Sequence, residues 1–188
     1  MSKSLKGTKT LENLMKAFAG ESQARNKYEF FAEVAREEGL HRIARFFGEA
    51  ADNEKYHAFA EFKAYNKLVN DVELDTTKKN LTYAADGEKY EYEIMYPNFA
   101  DIAKEEDLKE IARMFTAIGK VEVEHEAEYL ALKKALEEEG FFESDEIEEY
   151  VCEVCGHVHR SKKAPGACPL CRVGKEYFKK KNEDITKG

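Results

Sequence analysis

In four long segments of this chain, residues at three- and four-residue spacing are apolar except where glutamate or histidine intervenes. The first stripe is Leu14, Phe18, Glu21, Ala24, Tyr28 and Phe31; the second is Ile43, Phe47, Ala50, Glu54 and His57. The third is Leu81, Ala85, Glu88, then Glu91 or Tyr92, and Met95. The fourth is Leu108, Ile111, Phe115, Ile118, Glu122, His125, Tyr129 and Leu132. An ionised carboxylate turned toward a core loses its water and needs compensation. No lysine or arginine lies on these stripes to supply it. Five such acids, Glu21, Glu54, Glu88, Glu91 and Glu122, would also repel one another. Raised pKa values could neutralise some of them. A pair of divalent or trivalent cations does so more completely and accounts for all five facing inward.

The periodic segments predict four helices. The first runs from about Thr10 to Glu38, with Thr8 or Thr10 as N-cap and Gly39 as the stop. The second runs from about Leu40 to Asn70. A polar connector, Asp71–Asn80, follows; extended, it would span ~30 Å. The third helix runs from about Leu81 to Met95, and Pro97 should kink or restart it. The fourth runs from about Glu106 to Glu139 and stops at Gly140. Short joints after the first and third helices imply two antiparallel hairpins, and the longer connector between them suits a four-helix bundle with one long crossover.

Glu54-x-x-His57 and Glu122-x-x-His125 each put a carboxylate and an imidazole on one helix face, one turn apart. Glutamate can bridge two metals, while neutral imidazole gives one nitrogen to one metal. One Glu from each of two helices plus Glu-x-x-His from the other two is the ligand pattern of di-iron and di-manganese bundles. Spacing alone does not make a site: Glu38-x-x-His41 has the same form but straddles Gly39 off any apolar stripe, and reads as a chance match.

A composition break falls near Ser144–Tyr150, and the boundary is placed at Glu146, giving a helical domain over 1–146 and a small module over 147–188. Within that module, Cys152-x-x-Cys155 and Cys168-x-x-Cys171 can wrap one tetrahedral metal in four thiolates. A module this small folds poorly on apolar contacts alone, so metal binding should drive its folding. Gly156 would let the first knuckle turn its amides toward sulfur; Arg172 stands at the matching place in the second. Zinc would make the module a structural ribbon and iron an electron carrier, and spacing alone leans to zinc. His157 and His159 read as surface residues rather than ligands.

The net charge of -8 argues against nucleic acid as the main partner. The opening residues lack the apolar core of a signal peptide, and the longest uncharged run, Ala164–Cys171, is far short of a membrane span. A cytoplasmic protein is expected, where thiols stay reduced and clustered cysteines serve as metal ligands.

At this level of detail the chain resembles the rubrerythrins, over nearly its whole length. The resemblance rests on AFAGESQARNKY around Glu21, EAADNEKYHA around Glu54 and His57, GEKYEYEIMYP around Glu88 and Glu91, VEVEHE around Glu122 and His125, and the two cysteine pairs that follow. The second acid of the third helix, Glu91, separates this family from ferritin-like proteins generally. The resemblance implies a ferritin-like bundle with a rubredoxin-like domain, a non-haem di-iron site and one iron held by Cys152, Cys155, Cys168 and Cys171, replacing the preference for zinc. It implies that Glu54 and Glu122 bridge the irons, that Glu88 and His125 bind one, and that Glu21 binds the other, which exchanges Glu91 for His57 on reduction. It further implies reduction of hydrogen peroxide to water in oxidative-stress defence. Electrons would come through the four-thiolate iron from rubredoxin or an NAD(P)H-dependent reductase, and the protein would act as a dimer. Tyr28 and Tyr96 are expected to donate hydrogen bonds near the carboxylates, the alternative being ordinary core packing. The competing function is iron oxidation and handling, with a structural zinc ribbon.

Overall fold

The computed structural model describes residues 7–181, which divide into two compact units, one through Asp75 and one from Thr76. The first unit is a helical hairpin of α1 (Lys9–Glu37) and α2 (His41–Asn70). Thr8 caps α1, its side-chain oxygen accepting from the Leu11 N–H at 3.4 Å. Gly39 ends it at φ +75°, where glycine alone is unstrained. The Leu40 N–H then reaches Ala35 O at 2.8 Å and the Gly39 N–H reaches Arg36 O at 3.0 Å, a Schellman closure. Small residues let the two helices approach: Ala32, Ala35, Ala44, Ala51 and Ala58 are all buried.

The second unit holds the other hairpin and the cysteine module. α3 (Thr77–Tyr90) begins at the Thr76 cap, earlier than the Leu81 expected from periodicity. Residues 77–80 carry no apolar side chain, so the stripe is silent there and the cap sets the boundary. Pro97 does not end the helical run. The chain passes through a π-helical turn, Glu91–Met95, and continues as α4 (Tyr96–Glu105), with Pro97 in the first turn, where a missing N–H costs little. α5 (Lys109–Glu137) therefore starts after an additional helix that periodicity did not resolve. Its stop is set by Glu139 at φ +52°, one residue before the expected Gly140, whose N–H closes on Ala135 O at 2.8 Å.

Beyond α5, β1 (Glu143–Cys152) pairs antiparallel with β2 (Val158–Lys163) on one side and β3 (Phe178–Lys180) on the other. The core under this small sheet is Tyr150, Phe178, Cys152 and Cys168. Two of those four are proposed ligands, so the module's interior is organised around sulfur.

Candidate metal centres

Each hairpin gathers its own three ligands. On α1 and α2, Glu21, Glu54 and His57 bring one donor atom each within 4.8 Å of the others. His57 Nδ1 lies 2.6 Å from Glu54 Oε2 and 3.8 Å from Glu21 Oε1. On α3 and α5, Glu88, Glu122 and His125 form the equivalent group, with His125 Nδ1 2.6 Å from Glu122 Oε2. Glu38 and His41 join neither group.

The acids are uncomfortable without a cation. Partial removal from water, then the neighbouring Glu54, hold the Glu21 carboxyl above its ordinary range. Partial removal from water, then the charges of Glu122 and Glu91, do the same for Glu88. Glu122 is only 8% exposed, the one buried charged residue among those described. The ligand sets fit metal ions: donors bonded at ~2.1 Å to one ion lie up to about 4 Å apart, near the spacing found. Both histidines keep an open side, His57 at 58% exposed and His125 at 46%.

Glu91 sits where the π turn begins. Its carbonyl accepts the Tyr96 N–H, the long bond that defines such a turn. Its charge acts on both Glu88 and Tyr96, whose hydroxyl is held above its usual range by lost solvation and then by Glu91, Glu122 and Glu88. The Tyr28 ring packs 6.2 Å from Phe47 and 6.3 Å from Phe31.

Sequence reasoning missed Tyr92 and the internal repeat. The Tyr92 hydroxyl donates to Glu126 Oε2 at 2.8 Å, tying the π turn to α5 beside His125. That bond, more than lost solvation, raises Tyr92 to about 12. Tyr28, Phe31, Ala44, Phe47, Glu54 and His57 recur, in order and spacing, as Tyr96, Phe99, Ala112, Phe115, Glu122 and His125. Glu21 matches Glu88 only when one residue is added before Tyr96, and the π turn holds that residue. Comparing the chain with itself would have found both.

The four cysteine sulfurs also lie within 4.8 Å of one another. Sγ separations of 3.6 Å join Cys152 to Cys171 and Cys155 to Cys168. A tetrahedron with ~2.3 Å metal–sulfur bonds has edges near ~3.8 Å, whereas a disulfide would need ~2 Å. The two knuckles are built alike. The Gly156 N–H returns to Cys152 O at 2.8 Å and the Arg172 N–H to Cys168 O at 3.0 Å. Arg172 adopts φ +68° beside Gly156's +74°, so an arginine takes the left-handed position that glycine fills in the first knuckle. Backbone N–H groups of His157 and Val173 point at Cys155 and Cys171, yet burial and the neighbouring sulfurs leave both thiols raised, Cys155 to about 12. His157 and His159 lie outside the sulfur cluster.

These sites define the class: a helical carboxylate–histidine metalloprotein with a four-thiolate metal module. The rubrerythrin family profile matches residues 12–133, and its rubredoxin-like domain profile matches residues 150–179. The chain is 46% identical over 187 residues to rubrerythrin-1 of Clostridium acetobutylicum, covering 94% of this chain and 96% of that one. It is 45% identical to the rubrerythrin of Porphyromonas gingivalis, covering 95% and 92%, and 40% identical to that of Nitratidesulfovibrio vulgaris, covering 94% and 96%. The chain belongs to the rubrerythrin family. Its fold class is mainly helical and ferritin-like, plus a rubredoxin-like domain, and its cofactors are a di-iron pair and a four-thiolate iron. It is an oxidoreductase.

Proposed function

We propose that this protein reduces hydrogen peroxide to water in the cytoplasm as a homodimer, within a bundle domain through Glu146 and an electron-entry domain from Ile147. The balance is H2O2 + 2 e⁻ + 2 H⁺ → 2 H2O. When bound, the iron pair supplies the two electrons and stabilises negative charge developing on oxygen. The observation that carries this reading is the presence in one chain of two matched carboxylate–histidine groups and a four-sulfur cage. A one-electron carrier restores a two-electron centre in two steps. Reducing equivalents enter from rubredoxin or an NAD(P)H-dependent reductase.

In this reading Glu54 and Glu122 would hold both metals, Glu88 with His125 would hold one, and Glu21 would hold the other with Glu91 or His57. The 2.6 Å contact between His57 and Glu54 holds the imidazole beside the site, and its exposed face leaves room for it to move. Tyr96, its pKa raised by lost solvation and then by Glu91, Glu122 and Glu88, stays protonated at neutral pH and can donate to a reacting oxygen. Tyr28 is its counterpart in the other hairpin.

The test is rapid mixing of the fully reduced protein with peroxide under anaerobic conditions. Stoichiometric peroxide loss without growth of a mineral core is expected, with three irons per chain by metal analysis. Cys168→Ser should keep the fold and the first turnover but lose steady-state turnover with a reductase. A colourless protein with stoichiometric zinc at the cysteines, or full turnover by the serine variant, would defeat the electron route.

A further inference from the structure

A helix that absorbs one extra residue can do so at many places, and the place decides which side chains face the site. Here the added residue lies between Glu88 and Tyr96 and is held in the turn Glu91–Met95. Absorbed before Glu91, it would rotate that residue by about 100° around the helix axis; absorbed after Tyr96, it would rotate the tyrosine instead. Two features hold the turn where it is. The first is Pro97, at the start of α4. In a regular helix its ring would clash with the carbonyl four residues back, that of Glu93, and the wider turn contains that carbonyl. The second acts from the side. The Tyr92 hydroxyl donates to Glu126 Oε2 on α5 at 2.8 Å. Among the described residues this is the one side-chain hydrogen bond or ion pair that joins Glu91–Met95 to α5. Glu91 and Tyr92 are half-buried while Glu93 and Ile94 are exposed, so the bond lies on the inward side of the turn.

The first hairpin has no such tie. By the spacing that matches Glu21 to Glu88, Arg25 corresponds to Tyr92; by the spacing that matches Glu54 to Glu122, Ala58 corresponds to Glu126. Arg25 bonds along its own helix to Glu29 at 3.2 Å, and its Nε is buried without a partner. A cavity of about 430 Å³ opens between α1 and α2 beside Ala58. The bond across the helices is present only where there is a register to hold.

We propose that Tyr92 is a positioning residue for the iron pair: through Glu126 it fixes the register of the π turn, and so the side on which Glu91 meets the metals. The inference deepens the peroxide-reducing reading and rests on Glu91 being an iron ligand in it. A carboxylate attracts ferric iron more strongly than ferrous iron, because the attraction grows with the charge on the metal. A Glu91 free to swing away stabilises the ferric form less. Loss of the bond therefore raises the midpoint potential of the iron pair, while the two carboxylate–histidine groups still retain both ions.

Anaerobic redox titration of the iron-loaded full chain tests this, read by the paramagnetic signal of the mixed-valence pair, which a single four-thiolate iron does not give. Tyr92→Phe and Glu126→Ala should raise the midpoint equally, and the double variant no further. Glu126→Gln keeps a carbonyl oxygen to accept from the phenol and should stay near the wild type. In a Glu91→Gln background, Tyr92→Phe should shift nothing. A full-sized shift in that background, or a wild-type potential in Tyr92→Phe, would overturn the proposal. Metal-free protein gives a second readout. Backbone amides of residues 91–96 should exchange about 10-fold faster in Tyr92→Phe, the scale of one lost hydrogen bond, with those of α1 unchanged. Wild-type exchange at the turn would equally overturn the proposal. If Glu91→Gln alone leaves the potential unmoved, the ligand role beneath it falls instead, and amide exchange still decides whether Tyr92 holds the turn.

Discussion

The α1–α2 hairpin and the α3–α5 hairpin solve the same packing problem with the same residues and then part at one place. Phe31 and Phe47 pack at 5.6 Å between ring centres, and so do their counterparts Phe99 and Phe115. Tyr28 leans on the first pair as Tyr96 leans on the second. Leu40 closes the first joint on Ala35 O, and Leu108 closes the second on Ala103 O, each at 2.8 Å. The difference is one added residue between Glu88 and Tyr96, absorbed as a π turn. In the first hairpin the path from Glu21 to Tyr28 is unbroken α-helix and presents no second acid to the site. In the other, the turn presents Glu91 and gains the bond from Tyr92 to Glu126. A motif repeated in two hairpins thus gains one added residue, and a second acid, Glu91, in only one of them.

Removing the insertion is the strongest way to break this comparison. Deleting Ile94 should restore regular α-helix, make the second hairpin match the first, and rotate Glu91 away from the site. Glu88, Glu122 and His125 remain, so both irons should still bind. The reaction of the reduced protein with peroxide should slow about 10–100-fold, the usual scale for lost support around a metal. A deletion variant that reacts at the wild-type rate would show that the π turn is a packing accident.

A smaller effect is expected at the repeat position that lies against Tyr96 in the second hairpin. Ala51 in the first hairpin corresponds to Gly119 in the second. Ala51 is buried at 2% exposure, whereas a methyl at Gly119 would come within 3.3 Å of Tyr96 Cβ. Ala51→Gly should cost about 1–2 kcal/mol in chemical denaturation, from helix propensity and one lost buried methyl. Gly119→Ala should change stability by less than about 0.5 kcal/mol, because a similar propensity gain is offset by displacing Tyr96. Equal and opposite changes would mean that Tyr96 is no more tightly held than Tyr28.

How far the sequence reveals this depends on what each signal measures. Periodicity located the long helices and the inward acids, because burial is what periodicity reports. The six residues that cluster were all on those stripes. Pro97 correctly marked a restart, since α4 begins at Tyr96 with the proline in its first turn, where it is harmless. The π turn was invisible because one added residue shifts a stripe by about a third of a turn, which reads as a choice between Glu91 and Tyr92. Arg172 was illegible for a different reason: a left-handed non-glycine residue is set by the knuckle's backbone bonds and has no compositional signature. The connector was overestimated because residues 77–80 have polar side chains, and only the threonine cap shows that they are helical.

The finest distinction concerns protons on the metal-free protein. Glu21 and Glu88 are matched residues, and both have carboxyls held above the ordinary value of 4.5. A raised acid favours its protonated form in the folded state. Its contribution is fully present below the unfolded pKa and is lost as pH rises through the folded one. Metal-free protein should therefore melt higher at about pH 4.5 than just above the folded pKa values, when compared with a variant in which both acids are glutamine. Glu21→Gln and Glu88→Gln should each remove part of that difference. If only Glu88→Gln acts, the first hairpin's acids are already relieved by solvent and by His57, whose charge pulls Glu21 downward. The two halves would then differ in electrostatic strain as well as in the inserted residue.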